Sequence, residues 1–153
     1  MSALAVVALV VGLLLVIGVV TAAVLVPLVR RWRRGADQFL TDLRAEAAAS
    51  GEMFVTDPET ANYRGGTGGH SAVKGNGTLV LTDRRLVFRK LSGGVEEVPR
   101  SSITGTRTEK TFLGSRVGGQ TCLVIETDEP AEIGFFVIDL PRWQQLLGGS
   151  AAS

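Results

Sequence analysis

The glycine-rich stretch at residues 64–70, Arg-Gly-Gly-Thr-Gly-Gly-His, has the composition most typical of a ligand-binding loop in this chain. Glycine backbone can turn several N–H groups toward an anion, and Arg64, His70 and the nearby Lys74 would add cationic side chains. The spacing does not match a P-loop, because Lys74 stands five residues after Gly69, where that motif has its second glycine. Arg64, His70 and Lys74 are therefore candidate contacts in a ligand loop. A flexible surface loop is the alternative interpretation.

Metal-binding and nucleophilic chemistry would depend on His70 and Cys122, the only histidine and the only cysteine in the chain. A metal site made from these residue types needs several ligands at short spacing. Cys122 alternates with Val124 in an apolar stretch, which predicts a small buried side chain. Asp128 and Glu129 lie in a predicted turn, where paired carboxylates are ordinarily solvated. We therefore expect no enzyme activity, no catalytic or metal-binding residues and no cofactor.

Two clusters of basic residues are candidates for contact with lipid headgroups or with a partner. One cluster follows the apolar N-terminal segment, and the other lies in a predicted β-hairpin. The alternatives are a stop-transfer flank for the first cluster and a solvated strand face for the second. The clusters are Arg30, Arg31, Arg33 and Arg34, and Arg84, Arg85, Arg89 and Lys90.

Residues 3–29 predict a transmembrane helix. They contain no charged residue, and 23 of the 27 are Ala, Val, Leu or Ile. As a helix they would be about 40 Å long, more than the roughly 30 Å hydrocarbon core of a bilayer. Only Met1 and Ser2 precede them and arginines follow, which favours an uncleaved anchor over a signal peptide. The arginines predict a single-pass plasma-membrane protein with its N-terminus outside and the remainder in the cytoplasm.

The overall composition averages two unlike parts of the chain, the apolar N-terminal segment and a more polar remainder. Of 153 residues, 45% are apolar, but no later stretch approaches the roughly 20 apolar residues of a second span, which excludes a multi-span transporter. Residues 51–153 carry 11 Lys or Arg and 12 Asp or Glu, which excludes a strongly basic nucleic-acid-binding domain. The predicted organisation is a transmembrane helix (3–29), a basic juxtamembrane segment with a linker helix (30–50), a folded domain (51–149) and a disordered tail (150–153).

Hydrophobic periodicity predicts a mainly β domain after the linker helix. The linker, at residues 36–49, is either a separate helix or a continuation of the span, and Ser50-Gly51 should end it. Residues 76–78 are interpreted as a turn. A final helix should begin at Asp139 and bury Trp143 as a plug. The predicted strands are residues 78–82, 85–89, 95–98, 103–109, 120–127 and 132–138, with Leu79, Leu81, Leu86 and Phe88 facing inward.

Residues 75–88, GNGTLVLTDRRLVF, resemble the hairpin signature of bacterial PH-like and GRAM-like domains. That signature has a glycine, an apolar strand, a Thr-Asp/Asn-x-Arg-Leu turn and a second apolar strand. The Val98-Pro99…Ile103 stretch and the Trp143 helix are similar to the family's Pro-x-x-x-Ile strand and capping helix. The resemblance covers about residues 52–147 and implies a seven-stranded, partly open antiparallel β-barrel closed by a C-terminal α-helix. An anchor followed by such a domain is similar to many actinobacterial membrane proteins.

Members of this family mostly bind lipids, peptides or other proteins. Phosphoinositide-binding members use a basic loop between their first two strands, which would lie within residues 57–74 here, where no dense Lys/Arg cluster occurs. We therefore expect a membrane-anchored, non-catalytic binding or scaffold module that acts at the cytoplasmic face through protein or peptide contacts. Sensing of anionic lipid in the inner leaflet is the alternative. Expected partners are the bilayer, a protein of unknown identity and, through Gly18 and Ala22, a second copy in a weak homodimer, but no nucleic acid.

Overall fold

The computed structural model describes residues 3–116 and 118–148 of the chain. These residues form two compact units that divide between Phe39 and Leu40. The first unit is helical, and the second contains the end of that helix together with the β domain. The predicted disordered tail at residues 150–153 lies outside the described residues.

Helix α1 (Ala3–Ser50) is continuous over 48 residues, so the linker helix is a continuation of the apolar segment. Its most apolar 18-residue window has a mean hydropathy of 3.1, and none of that window is buried by the rest of the protein. The helix is therefore long and apolar enough to cross a membrane, as the sequence predicts. Exposure of so large an apolar surface to water would be unfavourable, because soluble proteins rarely expose apolar patches of this size.

The C-terminal end of α1 is fixed by Gly51, as predicted. Gly51 has φ +69°, a left-handed conformation that glycine adopts without steric cost. This turn lets the Glu52 N–H donate to the Ala47 carbonyl at 2.9 Å, the hydrogen bond of a Schellman cap. Leu43 and Ala47 in the last turns of α1 are buried, so this part of the helix packs within the second unit.

The second unit contains one seven-stranded antiparallel sheet in the order β4-β3-β2-β1-β7-β6-β5. Within the described residues β4 and β5 are the two edges and do not pair with each other, so strand pairing leaves the sheet open rather than closed into a barrel. The 3₁₀ turn Arg100–Ser102 joins these edges at one end. The strands are β1 (Glu59–Gly66), β2 (Gly75–Leu81), β3 (Arg85–Lys90), β4 (Val95–Pro99), β5 (Ile103–Glu109), β6 (Cys122–Thr127) and β7 (Glu132–Phe136).

The strand predictions succeeded for β2 to β7 and missed the central strand, β1. Only two residues of β1, Ala61 and Tyr63, contribute apolar side chains to the core. Its alternation of apolar and polar residues is therefore weak. The turn predicted at residues 76–78 is wrong, because these residues lie within β2. A side chain at Gly77 would collide with the backbone of Arg89 on β3, so this glycine permits close strand approach instead of a turn.

The core lies on one face of the sheet and is covered by α2 (Leu140–Gly148). Asp139 caps this helix as predicted, since its Oδ1 accepts from the Arg142 N–H at 3.1 Å. Trp143 is fully buried, and its Nε1 donates to the Glu59 carboxylate. The predicted inward residues Leu79, Leu81, Leu86 and Phe88 all belong to this core.

A smaller apolar cluster lies on the opposite face of the sheet. It contains Phe112, Cys122, Val124 and Phe136. Phe112 comes from the loop between β5 and β6, which folds back over β7. Its ring occupies the space above Gly134, where any side chain would collide with it. Cys122 is 1% exposed, and burial raises the pKa of its thiol to about 11, which agrees with the predicted small buried residue.

Candidate functional site

The glycine-rich stretch is ordered by packing and by strand hydrogen bonds. Gly65 and Gly66 are part of β1, so only the remainder forms a loop. The Thr67 N–H donates to the Glu132 carbonyl and the Glu132 N–H donates to the Thr67 hydroxyl, both at 2.9 Å. A Cβ atom at Gly68 would lie 2.5 Å from the Ala131 Cβ, so this position has no room for a side chain. The glycines therefore serve close packing against the start of β7.

The three residues predicted for a ligand loop are held by three different contacts. The Arg64 guanidinium lies 5.1 Å from the Phe136 ring centroid, and its Nη1 donates to Asn62 at 3.0 Å. Lys74 donates from Nζ to the Leu113 carbonyl at 3.0 Å. His70 instead lines a cavity beside the 3₁₀ turn. The structure thus does not bring Arg64, His70 and Lys74 together around one ligand.

Arg85 of the second basic cluster is surrounded by carboxylates. Its nitrogens lie 2.8 Å from Glu46, 3.0 Å from Glu52 and 3.0 Å from Glu97. Burial alone would raise the pKa of Glu52, but hydrogen bonds from Arg85 and Thr82 outweigh it and leave that pKa below its ordinary value. The hydrogen bond with Glu52 is the main reason why the pKa of Arg85 is raised. Arg85 therefore joins the end of α1 to β3 and β4.

Lys90 is 5% exposed and is also held inside the domain. Its Nζ lies 2.8 Å from the Ser71 hydroxyl, 3.5 Å from Glu96 and 4.6 Å from the centroid of the Tyr63 ring. The Tyr63 hydroxyl donates to the Ser71 carbonyl at 2.6 Å, and burial raises the pKa of this phenol. These contacts explain why a lysine is tolerated at a buried position.

The remaining basic candidates lie on two units of the chain. Arg84 is exposed in the turn between β2 and β3, and Arg89 is half-buried on β3. The juxtamembrane cluster lies on the first unit, where its four side chains are exposed along α1; these are Arg30, Arg31, Arg33 and Arg34. The geometry therefore leaves no compact cluster of four cations in the hairpin.

A cavity of about 300 Å³ lies between the end of β4, the 3₁₀ turn and the β6–β7 turn; we call it the corner cavity. The Asp128 N–H donates to the Ser102 carbonyl at 2.9 Å, and this bond holds the β6–β7 turn against the 3₁₀ turn. His70 reaches the cavity from the β1–β2 loop. The lining combines carboxylates, hydroxyls and a few apolar groups: His70, Val98, Pro99, Ser101, Ser102, Thr127, Asp128, Glu129 and Ala131.

The chemistry of the corner cavity favours recognition of a cationic or hydrogen-bond-donating group. Asp128 and Glu129 supply negative charge at its rim, and Ser101 adds a hydroxyl. His70 Nδ1 lies 3.5 Å from Glu96 Oε2, which orients the imidazole. The hydrogen bonds of the described residues include none between the His70 side chain and a serine hydroxyl. No group of three His, Cys, Asp or Glu among the described residues could hold a metal ion.

Sequence reasoning identified the Asp128–Glu129 carboxylate pair and His70 separately but did not place them together. They come from segments separated by about sixty residues, and only the sheet order brings those segments to one corner. The adjacent carboxylates in a turn were the one available signal, and alone they indicate a solvated turn.

Comparison with known proteins does not assign the chain to a family. No family model matches the sequence. A search of the curated proteins likewise finds no match.

Proposed function

We propose that the protein is a single-pass, membrane-anchored, non-catalytic module with a cytoplasmic PH-like domain that binds a protein segment. The corner cavity, beside the end of the edge strand β4, is the observation that carries this proposal. The resemblance of residues 75–88 to PH-like and GRAM-like hairpins agrees with an open sheet capped by α2.

The anchor is supported by the exposed apolar surface of α1. Every described side chain from residue 5 to residue 31 is exposed, although most of these residues are aliphatic. A helix satisfies its own backbone hydrogen bonds, so lipid can surround it without leaving backbone polar groups unpaired. The arginines at the C-terminal end of the apolar segment favour a cytoplasmic domain at the plasma membrane. Homodimerisation through Gly18 and Ala22 stays a prediction.

A basic protein segment is the ligand that suits the corner cavity best. Asp128 and Glu129 would attract a lysine or arginine side chain, and the hydroxyl groups would accept its N–H donors. Among residues 3–116 and 118–148, no strand pairs with the outer edge of β4, so an extended segment could pair with its backbone groups. Tethering to the bilayer would raise the effective concentration of a weakly bound partner at the membrane.

Recognition of anionic lipid through the hairpin arginines is less well supported. Arg85 and Lys90 are occupied by glutamates and are largely buried, so they have little charge to offer a headgroup. The carboxylates of the corner cavity would also repel phosphate.

The proposal is tested by panning a displayed random-peptide library against the full chain in lipid nanodiscs. We expect the selected peptides to share a Lys or Arg residue. Their affinity should fall about fivefold for each carboxylate neutralised in Asp128→Asn and Glu129→Gln, the effect of a charge pair worth about 1 kcal/mol.

Asp57→Asn is the matched control, because Asp57 is an exposed carboxylate that does not line the corner cavity. This variant should bind the selected peptides as the unmodified chain does. Equal binding by the Asp128 and Glu129 variants would show that the cavity is not the site. Failure to select any peptide would contradict recognition of protein segments.

A further inference from the structure

We propose that the β domain has a second interaction surface, which binds an anionic lipid bilayer through an exposed leucine surrounded by cations. This lipid patch consists of Val73, Lys74, Lys110, Leu113 and Arg116. It is distinct from the corner cavity. The inference rests on the anchoring of α1 in a bilayer, because covalent attachment would keep the domain near a lipid surface.

Two loops that are distant in sequence form the lipid patch. Lys74 Nζ in the β1–β2 loop lies 3.0 Å from the Leu113 carbonyl in the β5–β6 loop. Both loops also pass over Gly65, since a Cβ atom there would lie 3.2 Å from Leu113 Cδ1 and 3.3 Å from the Ala72 carbonyl oxygen. These contacts hold the two loops together, and Val73 lies between Ala72 and Lys74, the two residues through which the β1–β2 loop takes part in them.

Leu113 is unusual in both its exposure and its backbone conformation. It lies at the tip of a tight turn in which the Ser115 N–H donates to the Phe112 carbonyl at 2.8 Å. Its side chain is 45% exposed, and its φ of +45° is the left-handed region that Gly or Asn adopts more easily. Fold stability alone would favour a different residue here. An exposed, strained leucine is therefore a feature that a contact with an apolar phase would explain.

The tip of the turn is held rigidly. Phe112, immediately before Leu113, is 3% exposed and packs with Cys122 and Val124 above Gly134. Lys74 adds a second attachment through the Leu113 carbonyl. Because the loop is ordered in this way, little conformational entropy would be lost when Leu113 enters another phase.

The charges around the tip suit an anionic surface. Lys74, Lys110 and Arg116 are exposed, and residues 71–75 and 110–116 contain no acidic residue. Lys110 and Arg116 share the lining of one cavity, so they lie close to each other, and each is three residues from Leu113 in the same loop. Val73, 66% exposed, widens the apolar part. Aliphatic side chains surrounded by Lys and Arg are typical of segments that bind the interface of anionic membranes.

A spin label beside Leu113 can test the lipid patch in the full chain. Thr111→Cys places the label two residues from Leu113, and native Cys122 is too buried to react. The labelled chain is placed in nanodiscs of phosphatidylcholine, with or without phosphatidylserine. With phosphatidylserine, we expect the label to become accessible to lipid-dissolved oxygen and protected from an aqueous nickel chelate. High salt should reverse this change.

Leu113→Asn should abolish the lipid-dependent change while leaving the melting temperature of the domain nearly unaltered. Lys110→Gln should weaken the association constant about fivefold, the effect of one cation near an anionic surface. The matched control is Leu91→Asn, since Leu91 is 47% exposed in the β3–β4 turn. A second control label at Ser92→Cys should remain accessible to water in both lipid compositions.

Two results would overturn the inference. One is a Thr111→Cys label that behaves identically in neutral and anionic discs; the other is a lipid response that Leu113→Asn leaves intact. Chains that do not enter nanodiscs would instead contradict the anchor, and the premise of the lipid patch with it. This failure is recognised separately, because size-exclusion chromatography shows disc incorporation before any label is measured.

Discussion

Arg85 joins four segments of the second unit through one guanidinium group. It belongs to β3 and contacts Glu46 on α1, Glu52 after α1 and Glu97 on β4. Such a planar group can satisfy several carboxylates at once, which a lysine cannot do with the same geometry. Glu52 is the most buried of the three partners, so its loss should affect the fold most.

We predict that Glu52→Gln lowers the free energy of unfolding by about 1–3 kcal/mol at neutral pH, because it removes a charged hydrogen-bond acceptor from Arg85 and Thr82. The folded-state pKa of Glu52 lies below its ordinary value of 4.5. Its contribution is therefore complete above that value and is lost as the pH falls through the folded-state pKa. Unfolding curves followed by tryptophan fluorescence should converge for the two proteins in acid. A constant difference down to strongly acidic pH would contradict this assignment.

Leu113→Asn is predicted to change the free energy of unfolding by less than about 1 kcal/mol. Asn tolerates the left-handed conformation better, which offsets the loss of a side chain that is already 45% exposed. Chemical denaturation of the full chain in detergent measures the change. A loss of several kcal/mol would show that Leu113 serves the fold instead of a surface contact.

At the scale of the strands, β1 determines the architecture and was also the hardest element to predict. It pairs with β2 on one side and β7 on the other, so it connects the two halves of the sheet. Its sequence, ETANYRGG, has two glycines and few apolar residues. Those glycines are needed because neighbouring loops approach the backbone closely, and this requirement cannot be recognised before the neighbours are known.

Two glycines in β2 provide a matched comparison of close approach. A side chain at Gly77 would meet the Arg89 backbone and the Phe88 ring, whereas Gly75 has open space around its Cβ position. We predict that Gly77→Ala lowers the free energy of unfolding by about 1–3 kcal/mol or more. Gly75→Ala should have little effect. The two variants can be compared by thermal unfolding in one detergent, and equal melting temperatures would contradict the packing of β2 against β3.

The sequence was informative wherever an element contains several apolar residues at the spacing of a strand or a helix. This applies to the hairpin formed by β2 and β3, to β6 and β7, and to the Trp143 face of α2. The sequence was less informative for sites that form where residues from distant segments come together. Lys90 looked like part of a cationic surface, yet Tyr63, Ser71 and Glu96 enclose it after folding.

At the scale of the whole molecule, the membrane topology can be measured by cysteine labelling, because the single native cysteine is buried. Ser2→Cys should react with a membrane-impermeant maleimide applied to intact cells, if the N-terminus lies outside. Thr104→Cys, on the exposed surface of β5, should react only after the membrane is opened. The unmodified chain is the control, because Cys122 is 1% exposed and its thiol has a raised pKa of about 11. The reverse labelling pattern would contradict the predicted orientation.

The central position of β1 has a consequence for synthesis of the chain. β1 is the first strand to leave the ribosome, but its partner β7 is among the last, since Asn62 pairs with Phe136. The sheet therefore cannot be completed until residues 132–136 have left the ribosome, and until then β1 has only β2 beside it. Pairings of such long sequence separation slow folding. The apolar helix precedes all of these strands, so the membrane insertion proposed for it would not have to wait for the domain to fold.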